Sequence, residues 1–139
     1  WQPLRKHAED SFVVKDWFEL FVTQNLVLDG LLYPLIYGRF GGELSQSGGS
    51  VVAMLTEFMD EWYAESVKWV DAFVKTAAAE SPENKHLLSQ WVRDGIASTT
   101  EALTPLAKLM YLEDAQPALD EARAALLARA AKTGLHVHT

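Results

Sequence analysis

The chain has 139 residues, 49% of them hydrophobic and 22% charged, a globular balance in a length suited to one domain with a real core. Its net charge of −7 argues against binding a nucleic-acid backbone, which needs clustered Lys and Arg. Cysteine is absent, which excludes disulfides, thiolate metal sites and Cys nucleophiles and makes the cytoplasm the default compartment.

The opening WQPLRKHAED lacks the apolar run of a signal peptide. It begins with Trp1 rather than Met, which points to a processed or excised piece. A first helix is predicted from about Pro3 to Val14, with Pro3 suited to an early turn. Asp16 then starts a second over 17–37. Drawn at 100° per residue, this helix has Leu20, Phe21, Val22, Leu26, Val27, Leu28, Leu31, Leu32, Leu35 and Ile36 on every side. All-round apolarity means burial in a large core or in lipid. Lipid is disfavoured because Glu19, Gln24, Asn25, Asp29, Gly30, Pro34 and Arg39 interrupt the run of about 20 apolar residues that a span needs. A break or kink is expected near Asp29-Gly30 and Pro34. GGELSQSGGS, 41–50, reads as a Gly/Ser loop.

Over 51–79 the helical period is clean. Glu57, Asp60, Glu61, Glu65, Lys68, Asp71 and Lys75 share one arc of about 140°. Glu65 with Lys68 and Asp71 with Lys75 are candidate pairs within the helix. Leu55, Phe58, Met59, Trp62, Val67, Trp69, Val70, Phe73 and Val74 fill the remainder, an apolar arc wide enough to meet neighbours on more than one side. AESPEN ends this helix, and Ser81 with Pro82 sets the cap and first turn of the next. That third long helix, 83–111, carries Leu88, Val92, Ile96, Thr99, Leu103, Leu106 and Met110 at three-four spacing, with a kink expected at Pro105. An Ala-rich helix follows, with Asp114 as candidate cap and Gly134 as terminator, then the tail LHVHT, read as frayed. The sum is an all-α, antiparallel bundle of long helices.

Little in the sequence supports catalysis by this chain alone. There is no GxSxG elbow, and the hydroxyl run Ser98-Thr99-Thr100 sits mid-helix, where such groups bond back to the preceding turn. The Gly-rich loop has no phosphate-cradle spacing. A di-iron bundle needs a Glu from each of two helices and Glu-x-x-His from each of the other two, yet no tetrad on 51–79 ends in His. The single Glu-x-x-His, Glu83 to His86, falls in a first turn, where a negative side chain complements the helix dipole. His136 and His138 lie in the tail, and His7 reads as a surface residue. Asp29, set among leucines, is expected to have a partner, to hold its proton, or to break the helix into local turns.

Aromatics are the surplus. Trp17, Phe18, Phe21, Tyr33, Tyr37, Phe40, Trp62, Tyr63, Trp69 and Trp91 exceed what one small core can cover, and such rings concentrate in cores and interface centres. An uncovered remainder would form an association patch. The candidate subunit interface comprises Trp17, Phe21, Leu28, Leu32, Tyr33, Tyr37, Trp62 and Trp69.

Residues 1–40, with DWFELFVTQNLVLDGLLYPLIY at their centre, and the later MLTEFMDEWYAESVKWVDAFVKTAAAESPENK resemble the β subunit of the hydroxylase of bacterial multicomponent di-iron monooxygenases, of the phenol hydroxylase type. The resemblance covers about residues 1–100 and weakens over the Ala-rich end. It implies a ferritin-like, ribonucleotide-reductase-like helical fold, of which residues 1–139 would form a single domain from the C-terminal portion of a larger subunit. It further implies a hydroxylase of α, β and γ subunits, in which α carries the di-iron centre and β is a ligand-free scaffold. Expected partners are then the α subunit and a second β subunit, with no nucleic acid or membrane, and the cofactor belongs to α. Two rival readings stand beside it. One is a small di-iron protein completed by homodimerisation, with Glu57 or Glu61 and Asp29 as ligands. The other is a stand-alone helical module with an apolar cavity lined by Trp62, Trp69 and Phe73.

Overall fold

The computed structural model of the chain describes residues 1–42 and 50–137, and among these it contains helices, short connections and no strand. Helix α1 (Gln2–Ser11) ends earlier than predicted. The Ser11 hydroxyl donates to the Ala8 carbonyl, and the next backbone bonds tighten to Phe12 N–Glu9 O and Val13 N–Asp10 O, a common helix ending. His7 is not a plain surface residue. It is half-buried, its Nε2 lies 3.3 Å from Oγ1 of the fully buried Thr99, and burial pushes its pKa down despite Asp10.

Asp16 starts the second helix as its residue type predicts, accepting the Phe18 N–H at 2.8 Å and the Glu19 N–H at 3.4 Å. The rod that follows is wound in four stretches: α2 (Trp17–Phe21), a wide π-type segment Val22–Leu28, α3 (Asp29–Tyr33) and a second π-type segment Pro34–Phe40. Gly41 and Gly42, expected in a loop, continue the helical winding, while 43–49 of the expected loop lie outside the described residues. Nor is Asp29-Gly30 a break. Wide turns leave carbonyls available to side chains, and Thr23 Oγ1 and Asn25 Nδ2 donate to Glu19 and Phe21 carbonyls. The second wide segment begins at Pro34, which has no N–H to give. Gly30 serves close approach, since a Cβ there would come within 2.8 Å of Leu126 Cδ1.

Three helices wrap this rod: α4 (Ser50–Glu80), α5 (Pro82–Tyr111) and, after a 3₁₀ turn at Leu112–Asp114, α6 (Ala115–Lys132). Ser81 caps α5 through the Asn84 N–H at 3.0 Å, with Pro82 in the first turn. The winding continues through Pro105, and α5 ends where Leu112 leaves it at φ +52°. Asp114 occupies the cap position of α6, but its side chain makes no capping bond. Val22, Leu26, Val27, Leu31 and Leu35 of the rod meet Val70 and Val74 of α4, Val92, Ile96 and Leu103 of α5, and Leu119 and Leu126 of α6 in one core. The Tyr111 hydroxyl donates to the Leu35 carbonyl, tying the end of α5 to the rod.

Two sequence expectations change here. Trp17–Gly38, at 22 residues and a mean hydropathy of 1.3 over its most apolar window, does reach the length and composition of a membrane span. A third of that window (33%) is buried, and the helix contacts α4, α5 and α6 as the central rod of the bundle. The tail is not frayed at its start. Gly134, at φ +91°, closes α6 with the Gly134 N–Ala131 O and Leu135 N–Ala130 O pair of bonds. Leu135 is buried and the His136 N–H donates to Ser89 Oγ at 3.1 Å. His138 lies outside the described residues.

Candidate interface surface

Helix α4 has two apolar faces, and only one enters the core. Val70, Val74 and Ala78 are buried. Met54, Phe58, Trp62, Trp69 and Phe73 remain exposed, Phe58 by 67%, Trp62 by 48% and Trp69 by 46%. At 100° per residue these five side chains occupy roughly 100° of arc beside the buried face. The wide apolar arc of the sequence is therefore half core and half uncovered stripe, a patch of the kind that marks association.

The rod supplies the rest of this surface. Phe21 sits 5.6 Å from Trp69 and 6.1 Å from Phe73, with Phe18 stacked on Phe21 at 5.4 Å and Trp17 edge-on to Phe18 at 5.2 Å. Farther along, Tyr33 stacks on Tyr63 at 4.8 Å and packs against Tyr37 and Trp62. Of the eight predicted interface residues, the structure thus joins Trp17, Phe21 and Trp69 in one aromatic group and Tyr33, Tyr37 and Trp62 in another. Leu28 and Leu32 are half-buried, with Leu32 packed against the core. Phe58 and Met54, among the most exposed apolar residues of α4, were not among the eight. Their four-residue spacing with Trp62 was legible; which half of the arc faces the core was not.

Asp71 departs from the solvated arc assigned to it. Instead of pairing with Lys75, it accepts from Arg129 Nε at 2.7 Å, and Arg129 Nη1 reaches Tyr63 Oη at 3.3 Å. The side chain of Arg129 is only 12% exposed, and its Nη2 is buried with no hydrogen-bond partner. The other expected pair forms, with Lys68 Nζ 2.5 Å from Glu65 Oε1 on the surface. Burial pushes the Asp29 carboxyl up to about 6, and the Arg129 charge opposes that shift only in part because its guanidinium already serves Asp71. Burial also raises Tyr63 and Tyr33.

A protonated Asp29 contributes stability that is fully present below its ordinary pKa of 3.8 and is lost as pH rises through about 6. Asp29→Asn is therefore expected to raise stability at pH 7 by about 1 kcal/mol, discounted for the residue's partial exposure. It should also flatten the pH dependence between about 4 and 6. Thermal unfolding of both forms across that range checks this.

The rival readings fare poorly. Glu57 and Glu61 are exposed on α4, whereas Asp29 lies in the field of the Arg129 guanidinium. Among the described residues no three His, Cys, Asp or Glu side chains cluster as metal ligands. Glu83 and His86 stand exposed in the first turns of α5. Trp62 and Trp69 lie on the open face, and Phe73 borders an open groove of about 520 Å³ with Trp17, Phe18, Leu87 and Trp91.

The all-α bundle around its largely apolar central rod is of the ferritin-like helical class. The fold superimposes on a chain of phenol hydroxylase from Pseudomonas sp. OX1, solved as xenon-pressurised crystals, with a TM-score of 0.90 and 43% identity over 99% of this chain and 41% of that one. The sequence pattern of the methane/phenol/alkene hydroxylases matches residues 1–81, and the chain belongs to that family. It is 53% identical over 137 residues to the oxygenase component DmpL of phenol 2-monooxygenase from Pseudomonas sp. (strain CF600). It is 42% identical over 135 residues to the corresponding component MhpL from Acinetobacter pittii (strain PHEA-2). A more distant relative, at 26% over 92 residues, is the β subunit of the hydroxylase component of the toluene-4-monooxygenase system of Ectopseudomonas mendocina. The chain spans about 40% of the length of the two phenol 2-monooxygenase components while 97% of it is matched.

Proposed function

We propose that this chain is a non-catalytic, structural part of the β subunit of a cytoplasmic phenol-type hydroxylase. The observation that carries the proposal is the uncovered aromatic stripe of α4, joined by Phe21 and Trp17 of the rod. An exposed row of large rings on a rigid helix is suited to lie in a protein–protein interface, where buried aromatics dominate the energy. In this reading the stripe docks the α subunit and a second β subunit. The di-iron centre resides in α, and the assembly inserts an oxygen atom from O₂ into phenol or a related hydrocarbon, using electrons from a separate reductase. This chain's part is to hold the metal-bearing helices in place.

The non-catalytic role has its own test. In the assembled hydroxylase, Glu57→Ala with Glu61→Ala is expected to leave iron content and turnover per α subunit within about twofold of the unaltered protein, since both side chains are exposed on α4. Loss of half the iron, measured by metal analysis of the purified assembly, would return those carboxylates to the ligand set.

A further inference from the structure

The groove at one end of the bundle joins rings to charge. It lies where α2 begins, α4 ends and α5 begins, with a volume of about 520 Å³. Trp17 and Phe18 of α2, Phe73 of α4 and Trp91 of α5 wall it, and the carboxylates of Asp16 and Glu80 border it. It is reached from outside: Trp17 is 74% and Phe73 58% exposed, and Asp16 and Glu80 lie on the surface. Neutral donors hold both carboxylates in place. Asp16 Oδ1 accepts the Phe18 and Glu19 N–H groups, and Glu80 Oε2 accepts from Asn84 Nδ2 at 3.1 Å. Among the described residues, no Lys or Arg forms an ion pair with either carboxylate. A ring face attracts a cation, Trp most strongly, and a guanidinium can stack on such a face while its edge N–H groups donate to carboxylates.

We infer that this groove receives an arginine side chain of the iron-bearing α subunit. Its guanidinium lies among the rings and donates to Asp16 and Glu80, while its methylene stem packs on the aromatic walls. Two observations choose this occupant. First, the groove is continuous with the aromatic stripe of α4. Phe73 belongs to both, and Trp17 and Phe18 lead on to Phe21 through ring contacts at 5.2 and 5.4 Å, so a subunit that covers the stripe reaches the groove. Second, a second copy of this chain would bring a net charge of −7 towards two carboxylates, a juxtaposition that like charge disfavours. The inference rests on the proposed assembly role and names the partner's contacting chemistry.

Asp16→Asn with Glu80→Gln removes both charges but keeps an oxygen for the α2 cap and for Asn84. In the assembled hydroxylase this form is expected to bind the α subunit about tenfold more weakly at low salt, with its helical content unchanged and its affinity less sensitive to salt. Thr76, exposed along the same groove, is the site for a photoreactive benzoylphenylalanine. Irradiating that assembly should cross-link position 76 to an arginine-bearing peptide of the α subunit, identified by mass spectrometry. Replacing that arginine with Ala should reproduce the loss, and combining it with the carboxylate changes should add little more. Unchanged association of the carboxylate form overturns the inference. So does a cross-link only to a second copy of this chain, to another subunit or to an α-subunit peptide without arginine. If the photoreactive form does not assemble, the affinity and salt response of the carboxylate form decide. If the unaltered chain assembles while the carboxylate changes have no effect, the inference alone fails. If the unaltered chain does not assemble, the functional reading fails and takes the inference with it.

Discussion

Phe58→Asp combined with Trp69→Asp is expected to lower the affinity of this chain for its hydroxylase partner by at least about a hundredfold while leaving its helical content unchanged. Both side chains lie on the open half of α4, Phe58 67% exposed and Trp69 46% exposed where it packs on Phe21, and neither belongs to the buried core. Covering such a ring on association is worth about 2 kcal/mol, and a carboxylate in its place must be desolvated without a partner. Two central positions altered together exceed the roughly 3 kcal/mol that a hundredfold change requires. Circular dichroism separates lost docking from lost folding. Substitutions at Leu28 or Leu32 would confuse the two, because those side chains are half inside the bundle.

The largest effect on the bundle itself is expected at Arg129. This side chain, 58 residues from Asp71 in sequence, links α6 to α4 through the carboxylate and through Tyr63. Arg129→Ala leaves Asp71 without its cation and Asp29 without the positive charge that partly opposes its raised pKa. Breaking a buried pair from one side costs about 3–5 kcal/mol. With Asp71 27% exposed, about 2–3 kcal/mol is expected here after allowing for solvent screening. The sign of the pH response follows. Without Arg129 the Asp29 carboxyl holds its proton more tightly still in the folded state, so the deficit should shrink on acidification below about 6 and be greatest at neutral pH. Urea unfolding at pH 5 and pH 7 checks both magnitude and direction.

These two predictions divide along the line between what the sequence carried and what it did not. The Asp16 cap, the Ser81-Pro82 start and the Gly134 stop were legible because each depends on the chemistry of a few adjacent residues. The all-α bundle was legible because helical period is local too. By contrast, the π-type winding of the rod involves side chains such as Thr23 and Asn25 bonding carbonyls of the preceding turn, and helical period does not report that. Which half of the α4 arc is core depends on where the rod lies. The Asp71–Arg129 pair and the docking of Leu135 and His136 near Ser89 join residues far apart in sequence, so no local pattern announces them. Asp29 was singled out as an acid among leucines; its cationic neighbour on α6 could not be.

The most direct measurement is affinity capture of the tagged chain from cells co-expressing a candidate iron-bearing α subunit, read by native mass spectrometry. The interface role predicts a stoichiometric assembly with the unaltered chain, and none with the Phe58→Asp, Trp69→Asp form. Recovery of the unaltered chain alone, folded and monomeric beside abundant α subunit, would contradict it.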